Sequence, residues 1–502
     1  MKKGIKQASL ATLAVFASTG IAQAAESVSV DELDQRIKVL ERQLELQAED
    51  AATKAKDATT PSASDKGFSL KKGDYELKIK GLVQADLRYY LDDYNFLRRA
   101  TPTASDRFND TVLFRRIRPT FEGSLGKLVG FRLTPEFAGD SATIVDAYLD
   151  LKFDPAYTLR VGKVKGPVAL ERLQSGGSTN FIERGFPTEL APNRDLGVQL
   201  QGELFSSTVN YTLGYYNGTA DGRDTTSTDV DNRKEIGARV FFEPFKNSPG
   251  VFQGLGFGVG SSFGPKEQGE NNAANANNFL PRYRTPGQNV FFQYNTTRTV
   301  GTGATVGNTG IYADGDLVRI SPQAYWYYNS LGVIAEYISS EQDLSVGLLP
   351  AGATLATTTL SDSAKNEAWQ ISASWVITGE DASFRGVAKP KNAYTPGGAG
   401  WGAFELAARY GVLDIDDDIF TTIPGSTLAT PATVANNFVS NPAANASEAK
   451  SFGIGLNWYL TSNLKTQLNY TNTSFEGGAG TTTAVQDRKD EKTIFARFQV
   501  AF

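Results

Sequence analysis

The fold predicted for this chain is all-β: a transmembrane antiparallel β-barrel of about sixteen strands behind a short N-terminal coiled-coil helix. Three observations predict it. The chain ends in the stretch Ile494 to Phe502, where Ile494, Ala496, Phe498, Val500 and Phe502 form an apolar face opposite Arg497 and Gln499, one side for lipid and one for water. The same alternation recurs along most of the chain. The 502 residues include no cysteine and no histidine, which removes disulfide frameworks, thiolate or His-ligated metal sites, and Ser-His-Asp or Cys-His catalysis. Carboxylate or Ser-Lys chemistry stays formally possible, yet no pattern frames it. The sequence therefore implies no enzyme, no cofactor and no nucleic-acid partner, and its function is to be sought in a pore.

Residues 1–24 read as a signal peptide. Lys2, Lys3 and Lys6 precede an apolar stretch of about ten residues from Ala8, and Ala22-Gln23-Ala24 is a small-x-small cleavage site. A membrane anchor would need about 20 apolar residues, and Ser9, Thr12, Ser18 and Thr19 interrupt this run. No second apolar run of spanning length follows, which excludes a helical membrane protein; a barrel needs only alternating segments. The terminal aromatic also resembles the assembly signal of bacterial outer-membrane barrels, so the outer membrane is the expected location. Formal charge is −5, and loss of the three leader lysines leaves 47 basic against 55 acidic residues, or −8. Any anion preference must come from placement rather than from net charge.

In the segment 25–50, Val30, Leu33, Ile37, Leu40 and Leu44 step by 3, 4, 3 and 4, an a/d seam that Gln47 continues. Ser29 with Glu32 makes a capping box, and Glu41, Arg42 and Glu45 keep the outside wet. Two readings stay open: a surface helix folded onto the barrel, or a short trimeric coiled coil at the periplasmic end, where assembled barrels raise the local concentration. Residues 51–67, rich in Ala, Thr, Ser, Lys and Asp, read as a flexible linker. The barrel is expected over 68–502; some 435 residues divided by sixteen leave about 27 each, a strand plus its share of turn and loop, and eighteen strands fit nearly as well.

Period-two segments place Leu77, Ile79, Val83, Ala85, Leu87 and Tyr89 opposite Lys78, Lys80, Gln84, Asp86 and Arg88. Ile117 and Phe121 oppose Arg116, Arg118, Thr120 and Glu122, with Pro119 on the lipid side requiring a bulge or strand distortion. Val145, Ala147, Leu149, Leu151 and Phe153 oppose Asp146, Tyr148, Asp150 and Lys152. Stretches 217–232, 268–278, 300–310 and 349–360 suit outer loops, and Thr461-Ser462-Asn463 suits a periplasmic turn. The stretch 166–193, with Gly166-Pro167, Gly176-Gly177, Gly185, Pro187, Arg172 and Arg184, is expected to fold inward and narrow the pore, because bare loop backbone cannot face lipid. Of Tyr325, Trp326, Tyr327 and Tyr328, at most two can face the lumen, and an interfacial girdle accounts for them better than a sugar track. The acidic run Asp414 to Asp418 lacks the Gly and distal Glu of an EF-hand loop and reads as a solvated loop.

These residues resemble the phosphate-selective porin O and P family. Phe114-Arg115-Arg116 looks like its paired-arginine motif, and Ser141-Ala142 leading to Asp146 like its acidic wall position. Ala169-Leu170-Glu171-Arg172 with Ile182-Glu183-Arg184 is similar to its pore-narrowing third loop. Ile377 to Glu380, Gly453 to Tyr459 and the acidic run Asp414 to Asp418 look like further family segments. The resemblance implies a sixteen-stranded homotrimeric barrel with Arg115, Arg116 and Arg184 as constriction bases, Arg172 where the family tends to carry a lysine, and Asp146 as the opposing acid. It also makes Arg282 and Arg284, in Pro281 to Pro286, part of an arginine ladder above the constriction.

The function so implied is passive diffusion of small, phosphate-like anions. Guanidinium forks replace part of an oxyanion's water, while Lys163 and Lys165 add point charge, and Asp146 keeps any one site from binding too tightly. Two alternatives remain: a general or cation-leaning porin, and a structural barrel that tethers the envelope through its N-terminal helix by peptidoglycan contact. Lipid and lipopolysaccharide are the expected surroundings.

Overall fold

The computed structural model describes residues 29–57, 59–92, 108–139, 141–225, 229, 232–266, 279–296, 298–300, 307–349, 356–387, 389–422 and 438–502. The leader expected over 1–24 lies outside the described residues. The chain divides into two units, 1–58 and 59–502.

In the first unit, helix α1 runs Val30–Asp57. Ser29 caps it, its Oγ accepting the Glu32 amide at 3.2 Å. Arg36–Glu32 and Lys38–Asp34 ion pairs, one turn apart, line its exposed face. Leu33, Ile37, Leu40 and Leu44 are all exposed, so the apolar seam has no partner within the described residues. A flexible linker over 51–67 is not what the structure shows. The alanines and lysines of 51–56 are strong helix formers that carry α1 seven residues past its expected end. Thr60–Ser64 and Gly67–Lys72 then pair as a hairpin.

The second unit closes into a sixteen-stranded antiparallel barrel. Its strands are β1 Tyr75–Tyr90, β2 Thr111–Leu125, β3 Val129–Glu136 and β4 Thr143–Asp154. They continue as β5 Tyr157–Val164, β6 Asp195–Leu204, β7 Val209–Tyr216 and β8 Glu235–Phe242. Next come β9 Gly254–Lys266, β10 Gly307–Tyr328, β11 Leu331–Leu349 and β12 Ala356–Val376. The last are β13 Ala403–Asp414, β14 Ala446–Tyr459, β15 Leu464–Thr481 and β16 Glu491–Ala501. Each pairs with its chain neighbour, and β16 pairs with β1 to close the ring. At that seam Arg497 stands opposite Asp86, and its guanidinium grips both carboxylate oxygens at 2.6 and 2.7 Å. The hairpin strand Gly67–Lys72 pairs with the first residues of β1, below the end of β16.

The faces alternate as a membrane barrel requires. Leu87, Leu149, Leu213, Phe257, Ile320, Ile371, Ile454 and Phe498 are exposed, while Gln84, Asp86, Gln199, Arg319, Gln370, Asn457 and Arg497 are buried inside. Connections such as 126–128, 155–156, 329–330 and 460–463 are short at one end; 165–194, 217–234 and 267–306 are long at the other. Two stretches expected as outer loops are strand wherever they are described. Residues 307–310 belong to β10, and β11 and β12 absorb 349 and 356–360, leaving only 350–355 between them. A sheet continuing past the membrane into water needs no apolar outer face, so the polar Thr-rich composition there did not preclude strands. Tyr325 and Tyr327 face in; Trp326 and Tyr328 stack on each other at 6.1 Å on the other face of β10. At Pro119 the ladder between β2 and β3 has already stopped, at Phe121, and the Glu136 carboxylate takes the Ile117 amide instead. The missing amide of Pro119 therefore breaks no pairing. In the acidic run, Asp416 accepts the Asp418 amide and starts a 3₁₀ turn over Asp417–Phe420.

An apolar core packs inside the barrel. Val168, Phe186 and Leu190 of the connection 165–194, Phe279, Tyr283, Phe291, Phe292 and Tyr294 of the connection after β9, and inward residues of β10 to β14 such as Ile338, Ala368 and Leu413 form one apolar core. Two interior cavities border β1 to β8 and, at the short-turn end, β14 to β16.

Candidate functional site

The connection 165–194 crosses the barrel interior. On one wall Gln323 of β10 donates to the Val168 carbonyl at 2.8 Å, and Glu336 of β11 accepts the amides of Leu170 and Glu171 at the start of helix α2, Leu170–Leu173. On the other wall Lys465, Gln499 and Gln84 donate to the carbonyls of Thr179, Gly177 and Gly176 at 2.9 Å each, and Arg497 to that of Ile182 at 2.7 Å. Wall-to-loop bonds of this kind satisfy a backbone that has no ladder of its own. Gly260 of β9 lets the loop press on the wall, since a Cβ there would lie 2.2 Å from the Val168 carbonyl oxygen.

Arg115 and Arg116 are consecutive on β2, and a regular strand would turn one of them to lipid. A bulge prevents this. The register between β1 and β2 passes from Gln84 opposite Arg116 to Ala85 opposite Phe114, leaving Arg115 as the extra residue. Both arginines therefore reach the loop. The Arg115 guanidinium grips Glu183 at 2.6 and 3.1 Å. Arg116 is buried against Gly176 and donates Nη1 to Gln84 at 2.6 Å, and its Nε has no partner among the described residues.

Glu183 is a hub. Besides Arg115 it takes Arg88 at 2.7 Å, and Arg497 stands at 3.7 Å. Arg184 and Arg172 are held by loop backbone rather than by acids: Arg184 donates to the Glu171 and Gln174 carbonyls at 3.0 and 2.7 Å, and Arg172 donates to the Thr188 carbonyl and to Asn193. Asp146 on β4 meets Arg194 at 3.3 Å, a base the sequence reading did not single out. Lys165 donates to the Leu173 and Gln174 carbonyls at 2.9 Å, and Lys163 to that of Thr225 at 3.0 Å.

Arg282 and Arg284 stand higher, on a small hairpin of Arg282–Arg284 and Val290–Gln293 in the outer connection after β9. Arg282 is exposed and Arg284 half-buried. Burial, and then the nearby Arg282 and Arg284, lower the Arg223 guanidinium below its ordinary value, which marks three crowded bases at the outer mouth. Arg284 is in turn within electrostatic reach of Arg115, Arg115 of Arg116, and Arg118 of Arg194.

Toward the short-turn end lies a cavity of about 480 Å³ lined by Lys80, Arg118, Arg132, Asp146, Lys165, Arg194 and Arg385. A second, of about 260 Å³, shares Arg132, Asp146 and Lys165 and adds Arg160 and Arg239. Arg118, Arg132, Arg160 and Arg239 were missed because alternation marks them only as inward, and Arg194 because it ends the inward loop, outside any strand; nothing in the sequence tells which inward residues border open space. One connection at this end is long. Residues 377–402 turn back into the barrel, where Phe384 stacks on Tyr325 at 5.4 Å and its carbonyl accepts from Gln174 of the inward loop at 2.7 Å.

Among known proteins, one from Caulobacter vibrioides described only as uncharacterized is 26% identical over 171 residues, 32% of this chain and 33% of that protein. The aligned part thus spans a third of the relative's length. Among solved structures the chain is similar to the outer-membrane channel DcaP of Acinetobacter baumannii, with 13% identity over 87% of this chain and 99% of that one at a TM-score of 0.46. OmpT of Vibrio cholerae is 10% identical over 86% and 99% at 0.46, and an anion-selective porin from Comamonas acidovorans 11% identical over 85% and 100% at 0.44. The family model for phosphate-selective porin O and P matches residues 83–502. A closed barrel with lipid outside and charge inside, matched by that model from β1 to its last residue, belongs to the phosphate-selective porin O and P family, and the chain is a porin of the bacterial outer membrane.

Proposed function

We propose that this porin passes anions in preference to cations and favours phosphate-like oxyanions, using Arg115, Arg116, Arg184, Arg282 and Arg284 with Arg172 beside them and Asp146 as a counterweight. One observation supports the reading: while an apolar core packs against β10 to β14, the two interior cavities are lined by Arg118, Arg132, Arg160, Arg194 and Arg239, and Arg115 and Arg116 stand beside the inward loop on the same wall. The acids beside these bases are already occupied. Glu183 holds Arg115 and Arg88, Asp86 holds Arg497, Glu136 holds Arg118 and Asp150 holds Arg160. Arg116 and Arg184, by contrast, meet only neutral acceptors. A dehydrating oxyanion finds there donors that no carboxylate competes for.

An ion that binds too well does not move. Asp146 beside Arg194, in a cavity also lined by Lys165, Arg118 and Arg132, supports weak successive binding rather than one deep trap.

The assembly proposed is a homotrimer, with the exposed seam of α1 as a short coiled coil; α1 residues contacting peptidoglycan are part of the same reading. Chemical crosslinking of the full chain beside a Leu33→Glu plus Leu40→Glu variant tests it, and loss of the trimer band in the variant is expected. For selectivity, phosphate added to chloride solutions in a planar bilayer should reduce single-channel chloride current along a saturating curve. In Arg116→Ala plus Arg184→Ala the half-blocking concentration should rise by about tenfold or more, the scale of a lost hydrogen bond to a charged group. A current indifferent to phosphate in the unaltered protein contradicts the oxyanion preference.

A further inference from the structure

We propose that Glu491 is a positioning residue for anion selection: its carboxylate latches the tip of the outer hairpin 282–293 and so holds Arg282 and Arg284 in place at the outer mouth. This rests on the reading of those two arginines as part of the anion route.

The hairpin is anchored at its two ends by different chemistry. Its base sits in the apolar core: the Tyr283 ring stacks on Phe292 at 5.5 Å, Phe292 meets Phe420 at 6.0 Å, and Phe291 meets Phe186 of the inward loop at 6.0 Å. The Tyr283 hydroxyl donates to Asp221 at 3.0 Å, and the Arg284 amide to Glu189 at 3.0 Å. Among the described residues no aromatic seat of this kind holds the tip. Thr285 Oγ1 donates to Glu491 Oε1 and Asn289 Nδ2 to Glu491 Oε2, both at 2.6 Å, while the Tyr90 hydroxyl donates to the Gly287 carbonyl at 2.6 Å. Glu491 is 1% exposed. A Cβ on Gly287 would lie 1.9 Å from Glu491 Oε1, so the tip backbone rests directly on the carboxylate.

Arg284 adjoins the tip, paired with Val290, while Arg282 lies on the base side of Tyr283, and Glu491 touches neither of them. Its influence on them runs through the strap. With the carboxylate gone, Thr285 and Asn289 lose a buried acceptor, and the tip is left with the Tyr90 contact while the base stays seated. The tip then swings about the seated Tyr283–Phe292 pair and carries Arg284 with it, so the Arg284 and Arg282 guanidinium groups no longer keep their spacing. Glutamine keeps one carbonyl and the shape, so Glu491→Gln should retain most of the latch, whereas Glu491→Ala should release it.

The absence of cysteine permits a direct test. Gln288→Cys places a single thiol on the strap tip, and an impermeant maleimide added to proteoliposomes reads how often the tip opens. Expected is a labelling rate raised by about tenfold or more in Glu491→Ala, the scale of lost bonds to a buried carboxylate, and little changed in Glu491→Gln. The anion-to-cation permeability ratio should fall in Glu491→Ala alone. Heat-modifiable migration on gels checks that each barrel is folded. Should Glu491→Ala not fold, Asn289→Ala and Tyr90→Phe each remove one tip contact and should each raise labelling by a smaller step. Equal labelling in every variant overturns the latch. Faster labelling with unchanged selectivity overturns the positioning role. Arg282→Ala plus Arg284→Ala then separates the causes: if that variant also leaves selectivity unchanged, the reading of the two arginines has failed; if it lowers selectivity, only the latch has.

Discussion

Arg497 and Asp86 illustrate how single residues both close this barrel and shape its interior. Both side chains are fully buried, and they meet across the seam between the first and last strands. Breaking a buried pair strands a charge, so Arg497→Ala should cost about 3–5 kcal/mol, read as a lower urea midpoint for barrel unfolding. Arg160 pairs with Asp150 in the same geometry, but its side chain is 21% exposed; Arg160→Ala should cost only about 1 kcal/mol. Similar small losses for both would contradict the view that the seam pair is a structural lock. At this scale the sequence was informative about side and poor about partners. Period two placed Arg497 and Asp86 on the water face, yet their mutual contact spans 411 positions, and no local pattern reports it. Arg115 shows the opposite case: alternation alone turns it to lipid, and only the one-residue bulge beside Gln84 brings it in.

Three elements shape the lumen, and each has a position at which it can be moved. Gly260→Val on β9 would set a side chain against the Val168 carbonyl and push the start of the inward loop off its wall. Larger single-channel conductance with weaker anion preference is expected; unchanged conductance would show that the loop does not set the pore width. Removing residues 383–386 from the long connection 377–402 deletes the Phe384 contacts with Tyr325 and Gln174. Conductance should again rise, but the sign of selectivity should hold, because the bases on β2 to β8 stay in place. The inward loop was legible as a Gly/Pro-rich stretch too long and too charged for lipid. The return of 377–402 was not, since composition does not distinguish a turn that folds in from one that hangs out. The lengths of β10 to β12 were hidden for a related reason: polar Thr-rich sequence is compatible with strand once the sheet has left the membrane.

As a whole, the molecule carries a net negative charge yet lines two interior cavities with bases. Barrel and outer-membrane location were readable from alternation and the chain's last strand, because those features repeat; strand number was not, since length suits eighteen strands nearly as well as the sixteen that the family resemblance implied. The apolar core inside the barrel was not readable, since it is assembled in part from separate loop segments around 186–191 and 279–294. Electrostatic guidance of this kind depends on salt. Anion preference should weaken between about 0.1 M and 1 M KCl, as the screening length falls from about 10 Å to about 3 Å and the bases at the mouth no longer act on ions at a distance.

The most direct measurement is the zero-current potential of the purified protein in a planar bilayer across a KCl gradient. A potential set by chloride, which moves toward zero in Arg115→Ala plus Arg116→Ala while the barrel stays folded, is the expected result. A weak or potassium-set potential, indifferent to those substitutions, would contradict the claim that the arginines beside the inward loop select the ion.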